Sequence, residues 1–199
     1  MSRIKVGICG APSAGKTTSA ERIRAVLKRQ YGLPSVEAVR EYARHYIEET
    51  GKVENIHEQW SILQGQERWE RQAERTYDFV ISDSPMFLPY IYTVTLADLQ
   101  NPKHRHLLLS MYEKALLAVC EYEVIYLLPL PEKVQQDGLR VQNEDDAKKL
   151  HDAMDNFLVG HLVADRFARV PLLMDEIDEG ASQRAEWIIK DLWNRGLLK

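Results

Sequence analysis

Hydrophobic residues in this chain occur in two patterns: short continuous runs, and stripes with a spacing of three or four residues. The runs predict five buried strands, at residues 4–9, 35–39, 79–83, 124–128 and 170–174. The stripes predict amphipathic helices, one with apolar residues at positions 20, 23, 26 and 27, and others at residues 40–50, 54–76, 106–120, 144–162 and 181–193. Because strands and helices alternate along the chain, we expect an α/β fold with a doubly wound, mostly parallel five-stranded sheet flanked by helices.

Glycine and proline residues predict where this pattern is interrupted. Gly65 predicts a break or shift in the helix at residues 54–76, and Asn101 and Pro102 predict a break in the helical region after the third strand. Prolines and a glycine after the fourth strand predict a loop at about residues 130–143, which is long enough to be a mobile lid. The sequence has no internal repeat or linker, so we expect one domain over residues 1–199.

The strongest chemical signal lies between the first strand and the helix that follows it. Residues 10–17 (Gly-Ala-Pro-Ser-Ala-Gly-Lys-Thr) match the phosphate-binding loop, or P-loop, in the strand-to-helix context that the motif requires. Its backbone amides and the helix N-terminus favour nucleotide phosphates, so ATP and Mg²⁺ are the expected cofactors. We expect Lys16 to bridge the β- and γ-phosphates and Thr17 to offer its hydroxyl to Mg²⁺. The predicted ATP-binding residues are Gly10, Ala11, Pro12, Ser13, Ala14, Gly15, Lys16, Thr17 and Thr18.

Two predicted strands end in acidic residues suited to the metal. Asp83 closes the third strand, whereas Asp175 and Glu176 follow the fifth. An Asp-Glu pair at this place is typical of motor or AAA-type ATPases, in which the glutamate polarises water. Ligands of doubly wound sheets bind at the carboxyl ends of the strands near the first strand, where a middle strand is the better neighbour. We therefore favour Asp83 as the magnesium-side acid; the alternative for either aspartate is a capping or turn role.

Composition narrows the class of protein. The 199 residues include 26 Lys+Arg and 30 Asp+Glu, a net charge of −4, which argues against indiscriminate nucleic-acid binding. The proportions of 45% hydrophobic and 28% charged residues are typical of a globular protein. No apolar run is long enough for a membrane span and residues 1–10 lack a signal-peptide pattern, so we expect a cytoplasmic protein with no membrane partner. Cys9 and Cys120 are interpreted as reduced core residues.

Three segments together carry a resemblance to a known family. They are residues 40–44 (Arg-Glu-Tyr-Ala-Arg), residues 81–85 (Ile-Ser-Asp-Ser-Pro) and residues 137–140 (Asp-Gly-Leu-Arg). With the P-loop, the chain resembles the NadR-type nicotinamide riboside kinases, small P-loop kinases related to thymidylate kinase. It is also similar to viral kinases that phosphorylate hydroxymethyluracil in DNA. The resemblance implies transfer of the γ-phosphate of ATP to a hydroxyl of a nucleoside-like acceptor, either free or within DNA.

The resemblance also implies roles for individual residues. Arg140 would lie in the lid and neutralise charge on the transferring phosphoryl group. Arg40, Glu41 and Arg44 would bind the acceptor, with Glu41 and Arg44 on one helical face after the second strand. Either Glu41 or Asp83 would accept the proton of the attacking hydroxyl. The predicted catalytic residues are Lys16, Glu41, Asp83 and Arg140. The alternative for residues 40–45 is a surface network of charges.

Two other function classes stay open. An ATPase or nucleotide-dependent switch would use Asp175 and Glu176 and have no acceptor, and a non-catalytic nucleotide-binding module would bind ATP without turnover. The oligomeric state is not specified by the sequence, and a homodimer is compatible with it.

Overall fold

The computed structural model describes residues 3–53, 55–131, 143–162, 164–172 and 177–198. Its strands are β1 (Ile4–Cys9), β2 (Val36–Val39), β3 (Phe79–Asp83), β4 (Val124–Leu127) and β5 (Phe167–Arg169). Its helices are α1 (Lys16–Arg29), α2 (Tyr42–Thr50), α3 (Glu58–Thr76), α4 (Leu88–Leu96), α5 (Pro102–Val119), α6 (Glu144–His161) and α7 (Ile177–Asn194), with one turn of 3₁₀ helix at Ala164–Arg166. No helix of these described segments is both long and apolar enough to cross a bilayer.

The strands form one sheet in the order β2-β3-β1-β4-β5, and every pairing between them is parallel. This confirms the predicted α/β fold class and its doubly wound sheet. β1 lies in the middle of the sheet, between β3 and β4, and five of its six residues are buried. The segment that follows β1 therefore leaves the sheet at the centre of its carboxyl edge, where ligands of such sheets bind.

Each face of the sheet has its own helical layer. On one face, Val6 and Ile8 of β1 share a core with apolar residues of α1 and α7. On the other face, Ile125 and Leu127 of β4 pack with apolar residues of α4, α5 and α6. Helices on both faces bury β1, β3 and β4 almost completely, which is why these strands read as continuous hydrophobic runs rather than as alternating ones.

The last strand lies three residues earlier than its hydrophobic run predicted. β5 comprises Phe167–Arg169, and the backbone N–H of Val170 still donates to the carbonyl of Leu127. Pro171 has no N–H to continue the pairing, so the prediction of a strand from residue 170 is wrong for residues 170–172, and residues 173 and 174 lie outside the described residues. Val170 is buried nevertheless, which explains its hydrophobic character.

Helix α3 is continuous through Gly65, so the predicted break at this glycine is wrong. The glycine instead allows a close contact, because a Cβ at this position would lie 2.1 Å from Cε1 of the Tyr42 ring. The ring lies over the Gly65 backbone and meets Trp69 edge to face, with 4.8 Å between the ring centroids. The glycine is therefore needed for packing α2 against α3.

Two further predictions have different outcomes. The break near Pro102 is confirmed, because α4 ends at Leu96 and α5 begins at Pro102, with the side chain of Asn101 capping the N–H of Lys103. The interpretation of both cysteines as core residues holds for Cys9, which is buried, but not for Cys120, which is exposed at the end of α5.

We expect Gly65→Ala to lower the free energy of unfolding by about 1 to 3 kcal/mol, because the added methyl group forces the Tyr42 ring away from α3. Gly160→Ala is the matched control, since Gly160 also lies in a helix but has no atom within 4 Å of the added Cβ. This control should be neutral or stabilising by up to about 1 kcal/mol. Urea unfolding of both variants measures the difference, and equal stabilities would contradict the packing role of Gly65.

Candidate active site

The P-loop lies at the centre of the carboxyl edge of the sheet, between β1 and α1. Two of its residues have left-handed backbone conformations, Ser13 with a φ of 65° and Gly15 with a φ of 79°. Gly10 is held closely, because a Cβ on it would lie 3.2 Å from the Cβ atoms of both Ala14 and Leu128. The loop thus has the sharp turns and close backbone approach that a P-loop needs.

Lys16, the first residue of α1, has its side chain folded back over this loop. It is 5% exposed, and its Nζ donates hydrogen bonds to the carbonyl oxygens of Gly10 (3.1 Å) and Ala11 (3.2 Å). Carbonyl dipoles compensate a buried ammonium group only in part, so the oxygens of a bound polyanion would be stronger partners. The next residue, Thr17, is exposed in the first turn of α1.

Asp83, the predicted magnesium-side acid, lies beside the P-loop strand. It is the last residue of β3, pairs in register with Ile8 of β1, and is 2% exposed. The next residue, Ser84, has a φ of 74°, and its N–H donates to the carbonyl of Ile8 at 3.1 Å. Asp175 and Glu176 lie outside the described residues, as do Arg140 and residues 132–142 of the predicted lid.

Glu41 follows β2 but precedes the helix that was expected to contain it. The helix predicted from residue 40 begins at Tyr42, with Glu41 at its N-cap position, so Glu41 and Arg44 do not share a helical face. The helix starts there because the N–H of Tyr42, which has no acceptor within the helix, donates to Oε1 of Gln66 on α3, at 2.8 Å. Arg40 is exposed, whereas Glu41 and Arg44 are half-buried.

A narrow cleft brings Glu41 and Ser84 together. Its other lining residues come from the start of α2 and from α3 and α4, namely Ala43, Gln59, Ile62, Gln66, Leu88, Pro89 and Tyr92. Ser84 has a buried Oγ without a hydrogen-bond partner in the described part of the chain, so a ligand in the cleft could use it. Of the three residues predicted to bind the acceptor, only Glu41 contributes to the lining of this cleft.

A buried carboxylate behind the cleft was missed by the sequence analysis. Glu70 of α3 is fully buried, and its Oε2 lies 2.6 Å from the Tyr122 hydroxyl and 2.9 Å from Nζ of Lys5. Its Oε1 accepts hydrogen bonds from Ser82 and Gln66. Every one of these groups is itself buried, so the carboxylate is compensated on all sides.

The hydrogen bonds of Glu70 connect the segment that carries Glu41 with the segment that carries Asp83. Gln66 both donates to Glu70 and caps the helix that follows Glu41. Ser82, the other partner of Oε1, immediately precedes Asp83. Glu70 thereby fixes the position of the segments that carry Glu41 and Asp83. The only sequence signal for it is its helical spacing from Ile62, Leu63 and Ala73, because it falls on the same buried face of α3 as these residues.

We expect Glu70→Gln to destabilise the protein by about 2 to 3 kcal/mol, as measured by urea unfolding. The loss should stay near the lower end of what breaking a buried ion pair costs, because Lys5 keeps Glu74 and Glu121 as partners. Glu74→Gln is the control, since Glu74 contacts the same lysine but is partly exposed. An equal or larger loss in this control would contradict the central role of Glu70.

The same network predicts a loss of stability in alkali. Burial and the charge of Glu70 raise the pKa of Tyr122 well above its ordinary value. Burial by itself lowers the pKa of Lys5. The neighbouring carboxylates of Glu70 and Glu74 have the larger opposite effect, so the pKa of Lys5 is raised. Both groups hold their protons longer when folded, so the stability that they contribute is present below about pH 10 and is lost above it.

Tyr122→Phe should therefore make the fall of the free energy of unfolding above about pH 10 shallower, by up to about 1.4 kcal/mol per pH unit. Unfolding by urea at several pH values measures this slope. Tyr31→Phe removes the hydroxyl of a more exposed tyrosine and should leave the slope unchanged. An unchanged slope in Tyr122→Phe would contradict the argument.

The sheet order, the P-loop and the neighbouring acid define a P-loop protein with the fold of the small kinases. A family model described as an AAA domain (AAA_28) matches residues 5–168, so the chain belongs to that family. The matched region contains the P-loop, Glu41 and Asp83. No curated protein matches the chain significantly in sequence.

Several solved structures share the fold. A NadR protein in complex with NR matches with a TM-score of 0.74 and 16% identity, over 99% of this chain and 50% of that chain. A deoxyadenosine kinase from M. mycoides, with dCMP and dCDP bound, has a TM-score of 0.65 and 17% identity, and a thymidylate kinase from Ehrlichia chaffeensis has 0.67 and 13%. The matches to these two kinases cover 96% of this chain and 100% of each kinase chain.

The present chain thus spans about half the length of the NadR chains but the whole of the other two kinases. The structural resemblance to NadR and thymidylate kinase is confirmed.

Proposed function

We propose that the protein is a Mg²⁺- and ATP-dependent kinase that transfers the γ-phosphoryl group to a hydroxyl of a nucleoside-like acceptor. One observation carries the proposal: the cleft that contains Glu41 and Ser84 begins at the residue that follows Asp83, directly beside the P-loop strand. A nucleotide hydrolase needs only water at this place, whereas a kinase needs a second binding site next to the phosphates.

On the donor side, Lys16 would exchange the carbonyls of Gly10 and Ala11 for phosphate oxygens. The exchange is favourable because a charged acceptor makes a stronger hydrogen bond than a neutral one. The N–H groups of the P-loop and of the first turn of α1 would hold the remaining phosphate oxygens. The predicted ATP-binding residues at positions 10–18 therefore stay the proposed binding loop.

The residues beside the P-loop fit a magnesium ion. A hydroxyl from Thr17 and a carboxylate from Asp83 are hard oxygen ligands, and Mg²⁺ in nucleotide sites takes only one or two such protein groups besides phosphates and water. When bound, the ion would neutralise charge on the phosphates. The assignment is supported by the position of Thr17 in the first turn of α1 and of Asp83 at the end of β3, beside the P-loop strand.

On the acceptor side, the hydroxyl would be oriented in the cleft by Glu41. Its oxygen forms the new bond to the γ-phosphorus, the bond between that phosphorus and the ADP oxygen breaks, and the hydroxyl proton passes to a carboxylate. Glu41 lines the cleft and is the favoured proton acceptor, with Asp83 as the alternative. Arg140 stays a proposed lid residue that would neutralise the phosphoryl group and exclude water.

The class of acceptor is suggested by the structural neighbours, which include proteins bound to NR and to dCMP. The lining has the amide of Gln59 and the ring of Tyr92 among apolar side chains, groups that can contact a base and a sugar. The cleft has a volume of only about 20 Å³, so it would have to widen to admit a nucleoside. The second candidate is an ATPase, which the AAA description of the family favours. Phosphorylation of hydroxymethyl groups in DNA is a third outcome to test.

The test is to supply γ-labelled ATP and Mg²⁺ with nicotinamide riboside, deoxynucleosides, nucleoside monophosphates or hydroxymethyl-containing DNA. Label on a free nucleoside or nucleotide is the expected result. Label on DNA would replace the acceptor in the proposal, and label released only as inorganic phosphate would favour the ATPase.

We expect Lys16→Ala to abolish transfer to the acceptor while the protein stays folded by circular dichroism. Arg22→Ala removes an exposed cation from the same helix and should retain full activity. Near wild-type turnover in Lys16→Ala would overturn the kinase assignment.

Glu41→Gln should lower kcat by about 100-fold or more, the usual share of a general base.

A further inference from the structure

Helix α7 carries a buried arginine that the proposed function has not used. Arg184 is 7% exposed, and its Nε has no hydrogen-bond partner in the described part of the chain. Burial lowers the pKa of its guanidinium, and no neighbouring carboxylate among the described residues offsets this effect. A buried cation is costly without a compensating anion.

This guanidinium lies against the P-loop. A Cβ built on Gly15 would lie 2.9 Å from Nη2 of Arg184, so the absence of a side chain at Gly15 leaves the space that the guanidinium fills. Gly15 is the residue from which α1 begins. Helix α7 is anchored beside α1 at this point, because the next residue, Ala185, packs in the same core as Ala20 and Ile23 of α1.

Two buried cations therefore converge on one end of α1. Lys16 reaches over the loop from the helix itself, and Arg184 reaches the adjoining glycine from α7. The positive end of the α1 dipole adds to both. Such a concentration of positive charge favours the binding of an anion at this end of α1.

We propose that Arg184 is a ligand of the nucleotide polyphosphate, a second cationic side chain beside Lys16. The inference rests on the proposed function only in that the anion is a nucleotide. A stacking role on the base is the less suitable alternative, because a neutral base does not compensate a buried charge. The guanidinium would donate to phosphate oxygens and, unlike an arginine of the lid, would be in place before any loop closes.

The test compares Arg184→Met with the wild type in the binding of ADP, inorganic tripolyphosphate and adenosine, measured by calorimetry. We expect the affinity for ADP and tripolyphosphate to fall about 10- to 100-fold, as for one charge-assisted contact, while adenosine binding stays unchanged. Arg184→Lys should recover part of the loss. Lys190→Met, which removes an exposed cation of the same helix, should bind like the wild type.

Thermal unfolding gives an independent readout. Without ligand, Arg184→Met should be at least as stable as the wild type, because an uncompensated buried charge is removed. The stabilisation by ADP should be much smaller than in the wild type. A variant that is less stable without ligand and equally stabilised by ADP would show a structural role and overturn the inference.

The outcomes separate this inference from the kinase assignment. Equal losses for adenosine and ADP would indicate base stacking and overturn the phosphate role. If Arg184→Met weakens ADP binding but the wild type transfers no label to any acceptor, the inference stands and the kinase function is overturned. Wild-type protein that binds neither ADP nor tripolyphosphate would overturn both.

Discussion

The parallel pairing of β1 with β3 is the constraint on which the site depends. It sets Ile8 beside Asp83 and ties the turn at Ser84 to the P-loop strand by a backbone hydrogen bond. The pairing of β2 with β3 then sets Val39 opposite Ser82, and Glu41 follows two residues later. Three segments distant in sequence thus deliver a loop, an acid and a cleft to one edge of the sheet.

The polar network around Glu70 keeps this arrangement in place. Strand pairing fixes where β2 and β3 end, but not where the segments beyond them lie. The carboxylate of Glu70 contacts Ser82 directly and reaches the N-terminus of α2 through Gln66. A buried charge is tolerated there because Lys5 and Tyr122 supply a cation and a donor, also from within the core. The stability of the protein and the geometry of its cleft consequently share the same contacts.

The charge distribution connects the fold with the proposed chemistry. Overall the chain is slightly acidic, yet Lys16 and Arg184 are buried at the start of α1, where the helix dipole is also positive. Family membership in the AAA domain group and the shared fold of several kinases are both consistent with a polyphosphate at this place. An ATPase and a kinase differ in what lies beside the phosphates, and the cleft at Glu41 is the reason that we propose a kinase with an acceptor.

The α/β class, the P-loop and an acid at the end of β3 were predictable from the amino-acid order alone, because continuous apolar runs, a spaced glycine motif and a strand-terminal aspartate are local signals. The start of α2 and the role of Gly65 were mispredicted because each depends on a partner distant in the chain, Gln66 and Tyr42 respectively. The position of β5 was mispredicted although Pro171, which limits the strand pairing, is visible in the sequence. Glu70 and Arg184 looked like ordinary charges of amphipathic helices. Their burial became visible only in the folded chain, since burial depends on which helices pack together and not only on the spacing of residues within one of them.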